Sequence, residues 1–392
     1  MHTDMSKPPV CPGEKILFIG AAFPPSVGGS VVVMKQLLKH YSPMSYNVVT
    51  LKSAGDSGDA DFERHTLRIG TKKIRPYNLG LWVRFLQMPF CVAEVCRYAK
   101  KVGSTKIVCI FPTIDFLFLG NMVAKKTALP LIVYMHDTVA EALSKTTFAW
   151  PAVLLQKSVF RRAAKILVMS EGMRRLYEDK YGLNCVSIPH TYGEKIDVPS
   201  SLTGNIAHQL FWGGAVYGIN EFALRRVLAA SQKRNIPFLF TSRNKEILAK
   251  SLNVSIGDSA LETTYYDSRE AYLEALKTNG IMVLALDYPE ESGFGAEEVA
   301  TIFPTKTPEY LASGAPILVH CPSDYFLARF FKERNCGVVV SEKDSAAISR
   351  AIDFLLKGGD QVTRIRENAL KAAEEFSARH ICELFSKALM EA

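Results

Sequence analysis

Lys306 and Glu309 stand three residues apart in the stretch Phe303-Pro-Thr-Lys-Thr-Pro-Glu-Tyr-Leu-Ala-Ser-Gly-Ala-Pro316. The spacing reads as a helix start, with Gly314 and Pro316 ending the helix before an apolar strand. A helix N-terminus offers unpaired amides and a positive dipole end, Lys306 adds a full charge, and Glu309 can accept hydrogen bonds from a diol. The helix amides, Lys306 and Glu309 together meet the needs of a nucleotide sugar. The same spacing also suits an ordinary loop-helix-strand junction with a solvated lysine. Three other places carry chemistry. His136-Asp137 follows the apolar run Leu131-Ile-Val-Tyr-Met135, so both side chains fall at a strand end. Gly28-Gly29 follows Pro24-Pro25 and opens a helical pattern, where glycines let backbone amides approach an anion. Gly213-Gly214 ends a later strand in the same way, and Arg243 follows the strand Phe238-Leu-Phe-Thr241 as a further source of positive charge.

These residues need a scaffold of strands and helices. The apolar runs 16–19, 48–51, 107–111, 131–134, 166–169 and 186–188 are short, continuous and mostly separated by helical patterns. Strands apolar on both faces belong to parallel sheets covered by helices, and the alternation predicts an α/β, Rossmann-like domain over residues 1–200. The pattern restarts after a polar, Gly- and Pro-containing hinge at 192–204. Strands are predicted at 209–212, 238–241, 263–266, 281–286, 317–320 and 338–340, giving a second Rossmann-like domain over 201–377. A last helical pattern closes the chain at 378–390. Ligands of such sheets bind at the carboxyl ends of the strands, where Gly28, His136, Gly213 and Arg243 all fall.

Length and composition agree. A chain of 392 residues exceeds one hydrophobic core, and 48% hydrophobic with 22% charged residues is globular composition. The net charge of +8 is uneven, with 26 Lys and Arg against 15 Asp and Glu in residues 1–200. No basic block or motif singles out nucleic acid. The eight cysteines include no C-x-x-C pair, which predicts buried free thiols and a reducing cytoplasm rather than a zinc site or disulfide framework. No secretory leader pattern is present in the first fourteen residues. The apolar stretch 107–124 is predicted to be a strand-helix unit rather than a membrane span. Asp59-Ala-Asp61 is discounted as a metal site for want of further oxygen ligands. G-x-G-x-x-G is absent, which disfavours NAD. Residues 72–86 mix basic and aromatic side chains, as a helix on an anionic membrane does, although a helix packed on the first sheet would read the same way.

Residues 303–316 resemble the donor-site motif of the group 1 (family 4) glycosyltransferases, in their Phe-Pro-x-Lys-x-x-Glu-Tyr variety. Pro-Pro-x-x-Gly-Gly at 24–29, His136-Asp137 and the turn Phe211-Trp-Gly-Gly214 resemble that family's other loops. The resemblance implies the GT-B architecture, with two Rossmann-like domains facing across a cleft and the last helix, 378–392, returning to the first domain. It implies transfer of a sugar from a nucleoside diphosphate sugar to a glycan or lipid-linked hydroxyl acceptor, with retention and without metal or resident cofactor. The contacts it implies are Gly28, Gly29, Gly213, Gly214, Arg243, Thr305, Lys306 and Glu309 on the donor, with His136 on the transferred sugar. Peripheral contact with the inner membrane face is a further expectation. The chain departs from the pattern twice. Ala215-Val-Tyr217 stands where Arg and Lys usually neutralise the diphosphate, and Thr301 stands eight residues before Glu309 where a first Glu is expected. Glu290, Glu291, Glu297 and Glu298 are the nearby acids that could replace it. Alternatives on the same fold are an epimerase, an inverting transferase or a non-catalytic sugar-nucleotide-binding subunit.

Overall fold

The computed structural model describes residues 14–26, 28–52, 60–70, 77–193, 202, 206–255, 257, 260–278 and 280–392. The chain divides into two units, one made of Met1–Pro189 with Ala378–Ala392 and the other of His190–Ser377.

The first unit runs β1 (Ile16–Ile19), α1 (Gly29–Leu38), β2 (Tyr46–Leu51), α2 (Ala60–Arg64), β3 (Thr66–Ile69), α3 (Tyr77–Val102), β4 (Lys106–Phe111), α4 (Ile114–Thr127), β5 (Leu131–Met135), α5 (Ala149–Arg162), β6 (Lys165–Val168), α6 (Glu171–Tyr181) and β7 (Cys185–Ser187). Its seven strands lie in the order β3-β2-β1-β4-β5-β6-β7, all parallel, with Ile19 opposite Val49 and Cys109. β1, β2, β4 and β5 are buried at every position, because helices cover both faces of a parallel sheet. Residues 107–124 are β4 plus most of α4, and no helix among the described residues is long and apolar enough to cross a membrane.

The second unit runs β8 (Leu210–Trp212), α7 (Glu221–Gln232), β9 (Phe238–Thr241), α8 (Lys245–Leu252), β10 (Leu261–Thr264), α9 (Arg269–Thr278), β11 (Ile281–Ala285), α10 (Ala296–Thr301), α11 (Thr307–Ser313), β12 (Ile317–His320), α12 (Phe326–Arg334), β13 (Val338–Val340), α13 (Ser345–Lys357) and α14 (Asp360–Ala373). Its six parallel strands take the order β10-β9-β8-β11-β12-β13.

The last helix, α15 (Ala378–Met390), belongs to the first unit. Phe385 is fully buried against Phe18, Tyr41 and Tyr134, the Tyr41 hydroxyl bonds Ser386 at 2.6 Å, and Lys106 donates to the Leu389 carbonyl at 2.6 Å. At the other junction the unit boundary falls after Pro189 rather than after residue 200. Local bonding explains this: Arg269 donates to the Tyr192 carbonyl at 2.8 Å, and Gly193 bridges Ser377, so the chain already belongs to the second unit there. Most of the expected hinge 192–204 lies outside the described residues, as do Asp59 and most of the segment 72–86. The seven described cysteines are free thiols, five of them buried.

Candidate functional site

In the second unit the carboxyl ends of β8 and β9 bring Gly213-Gly214 and Arg243 to one sheet edge, since the two strands are parallel with Trp212 beside Phe240. α11 arrives at that edge. Lys306 is its N-cap, Glu309 lies in its first turn, and Gly314, at φ 71, ends it in the left-handed conformation that glycine adopts without strain. Thr305 is half-buried in the preceding turn.

Lys306 Nζ lies 3.0 Å from the centroid of the Trp212 ring, a cation–π contact in a half-buried position. Among the described residues no carboxylate lies within ion-pair distance of it. Gly214 is what makes room, because a Cβ there would sit 2.5 Å from Lys306 Nζ. A Cβ on Gly213 would likewise sit 2.5 Å from the Tyr272 hydroxyl. The Gly213 amide donates to the Tyr310 hydroxyl at 2.7 Å, which fixes the turn to α11. Burial holds the Lys306 ammonium well below the ordinary lysine range, with Glu309 opposing the shift.

Glu309 is buried, and its Oε1 lies 2.7 Å from an Arg269 guanidinium nitrogen. Burial pushes its carboxyl up and Arg269 pulls it down. Arg269, the first residue of α9, was missed by the sequence reading because nothing in its neighbourhood marks it; only the fold carries it to Glu309. The expected helix-terminal phosphate cradle is thinner than its sequence suggests. The Thr307 amide is taken by the Pro304 carbonyl at 2.8 Å and Pro308 has no N–H, so two of the first three helical positions offer no donor. Positive charge for an anion therefore rests on Lys306. Arg243 is exposed and stacks on Tyr265, 3.9 Å from the ring centroid, rather than on any group of the Lys306 cluster.

The four acids considered in place of Thr301 separate clearly. Glu291 is bidentate to Arg226 at 2.8 and 3.0 Å, and it also accepts from Lys343 at 2.9 Å. Burial opposes its ionisation, but those hydrogen bonds win and take the carboxyl to about 2. Glu290 is held by Lys343 at 2.6 Å, Glu298 is buried, and Glu297 is exposed in the first turn of α10. Thr301 itself turns its hydroxyl back to the Glu298 carbonyl. The same cluster fixes a histidine tautomer. Arg226 Nε can only donate, so His320 Nε2 accepts at 3.0 Å and Nδ1–H donates to the Val340 carbonyl at 3.0 Å.

In the first unit, Gly28 and His136 reach the carboxyl edge of the seven-stranded sheet from β1 and β5, with β4 between those strands. Gly28 has φ 145, a conformation that side chains other than hydrogen strain to adopt, and its carbonyl accepts from the Val31 and Val32 amides. Gly29 is the first residue of α1. Arg68 donates to the Pro24 carbonyl at 3.1 Å and pins this loop to β3. His136 is buried edge-on against Tyr134, and neither ring nitrogen has a hydrogen-bond partner among the described residues. Burial alone lowers its value to about 3. The imidazole is therefore neutral at ordinary pH.

No family model and no curated protein matches the chain. Solved structures do match over nearly its full length. They include sucrose-phosphate synthase from Thermosynechococcus elongatus, at TM-score 0.69 and 16% identity over 96% of this chain and 98% of that one. Anabaena HepE in complex with UDP follows at 0.69 and 13%, covering 97% and 100%. WaaG, a glycosyltransferase involved in lipopolysaccharide biosynthesis, matches at 0.64 and 13%, covering 95% and 98%. The chain shares their fold, the GT-B architecture of two Rossmann-like domains.

Proposed function

We propose that the protein transfers a sugar from a nucleoside diphosphate sugar to a hydroxyl acceptor, a glycan or lipid-linked saccharide, with retention of configuration and without a metal. The observation that carries this reading is Lys306. Its ammonium is held over Trp212 beside Gly214, at the carboxyl edge of a parallel sheet, and among the described residues no carboxylate lies within ion-pair distance of it. A half-buried ammonium at that edge is suited to a diphosphate. Glu309 keeps acceptor capacity for a ribose diol, since a carboxylate has about four lone-pair sites and Arg269 engages one oxygen. The likeness to HepE in complex with UDP and with UDP-glucose supports a nucleotide-sugar donor and makes UDP-glucose the first to test.

On this reading the main contribution to catalysis is stabilisation of the leaving diphosphate, by Lys306 and the Gly214 turn. His136 orients the transferred sugar through its free ring nitrogens. His136→Ala is expected to lower kcat by about 10²-fold or more with a much smaller change in donor KM. Equal losses in both would make it a structural histidine. Product stereochemistry followed by NMR separates retention from inversion and from epimerisation.

A second reading has its own observation. Thr301 supplies no carboxylate, and Glu290 and Glu291 are committed to Lys343 and Arg226. A sugar-nucleotide-binding subunit without activity would show that pattern. Binding of UDP with neither hydrolysis nor transfer from a broad donor panel would establish it and end the catalytic reading.

A further inference from the structure

Tyr217, in the turn between β8 and α7, is 48% exposed, yet its backbone is held on both sides. Its amide donates to Asn220 Oδ1 at 3.0 Å, its carbonyl accepts from the Asn220 amide at 2.9 Å, and Asn220 Nδ2 reaches back to the Ala215 carbonyl at 3.3 Å. The next residues are stitched to the loop after β11. The Gly218 carbonyl accepts from the Gly293 amide at 2.8 Å and from the Ser292 hydroxyl at 3.2 Å, and the Ile219 carbonyl accepts from the Asp287 amide at 2.8 Å. Phe294 on that loop donates its own amide to Ser292 Oγ at 3.1 Å, and its ring stands edge-on to Tyr217 with centroids 6.5 Å apart. A tyrosine on a mobile loop would lose entropy when a ligand ordered it. Here the backbone and the neighbouring ring are both fixed in advance, so the exposed ring is a preset apolar face.

Strand order indicates what that face meets. Arg269, which holds Glu309, opens the helix that follows β10; Gly214 and Lys306 meet at the end of β8; Tyr217 and Phe294 lie toward β11. These strands run β10-β9-β8-β11 across the sheet. A ligand with its ribose at Glu309 and its diphosphate at Lys306 therefore extends its sugar toward Tyr217. The cations on the β11 side are already engaged, Arg226 by Glu291 and Lys343 by Glu290 and Glu291. Ala215 and Val216, beside Tyr217, carry no charge. Such a place has an aromatic face for the C–H side of a pyranose and no spare cation for a carboxylate on the sugar.

We propose that Tyr217, backed by Phe294, is the platform on which the donor's sugar stacks, and that it selects a neutral pyranose over one bearing a carboxylate. This rests on the nucleotide-sugar reading of Lys306 and Glu309 and adds the class of sugar.

The test is calorimetric titration of UDP, UDP-glucose and UDP-glucuronate into the full-length wild type, Tyr217→Ala and Tyr217→Phe, each variant checked for unchanged thermal unfolding. Tyr217→Ala is expected to weaken UDP-glucose by about tenfold and to leave UDP within about twofold, while Tyr217→Phe stays close to the wild type for both. The wild type should bind UDP-glucuronate about tenfold or more weakly than UDP-glucose. The proposal is overturned if the wild type binds UDP but rejects UDP-glucose, or if Tyr217→Ala and the wild type bind UDP-glucose equally. A loss in Tyr217→Ala that is as large for UDP also overturns it, because the ring would then face the nucleoside. Equal affinity of the wild type for UDP-glucuronate and UDP-glucose removes the selection of a neutral sugar. A wild type that binds no UDP removes the nucleotide-sugar reading itself, and the platform with it.

Discussion

Glu309 shows how a residue legible in the sequence changes meaning once its partner is known. Read alone, it is a carboxylate for a diol whose removal would cost binding and little stability. Paired with Arg269 at low exposure, it also neutralises a guanidinium. Glu309→Ala is therefore expected to destabilise the second unit by about 2–3 kcal/mol, less than a fully buried pair because Arg269 is partly exposed. Glu309→Gln, which keeps shape and acceptor oxygen, should recover most of that loss in thermal unfolding while still weakening nucleotide binding. Equal unfolding curves for the alanine variant and the wild type would contradict the pairing. Lys306, Glu309, Gly213 and Gly214 were all visible in the sequence, by type and spacing. Arg269 and Trp212 as their partners were not, because the pairings join residues 40 and 94 positions apart through the fold.

Elements were legible where burial is uniform on both faces. β1, β9, β12 and β13 fall where the apolar runs place them, and the others shift by one or two residues. β3 escaped because an edge strand with Thr66 and Arg68 half-exposed has no continuous apolar run. Asp287, just past β11, ties that strand to α7: its Oδ1 accepts from the Ala223 amide at 2.7 Å, while Oδ2 is buried without a partner. Burial pushes its carboxyl up to about 6. A folded-state value above the unfolded one means that Asp287 favours folding most when protonated. Its contribution is complete below about pH 4 and is lost as pH rises through 6. Asp287→Asn lacks this dependence. Its stability relative to the wild type should rise by up to about 3 kcal/mol between pH 4 and 7, read by denaturant unfolding. A constant difference would show that Asp287 is not held above its ordinary range.

At the scale of the whole molecule, the two α/β domains follow from alternation of apolar runs and helical patterns, whereas the chain's return to the first unit does not. α15 is an ordinary amphipathic helix in sequence, and Phe385 on it stacks with Phe18, one residue from the end of β1. The first unit is thus closed by residues from the far end of the chain. Phe385→Ala should cost about 3–5 kcal/mol, as other large-to-small changes in a core do. Proteolysis should then find the first unit open while the second stays protected. Loss confined to the second unit would contradict the assignment of α15.

Lys306 is the proposed cation for a nucleoside diphosphate. Calorimetric titration of UDP-glucose into the wild type and Lys306→Met tests it most directly. Micromolar-range binding by the wild type and an affinity about 10- to 100-fold weaker in the variant, with unchanged thermal unfolding, is the predicted result. Equal affinity in the two proteins would contradict it.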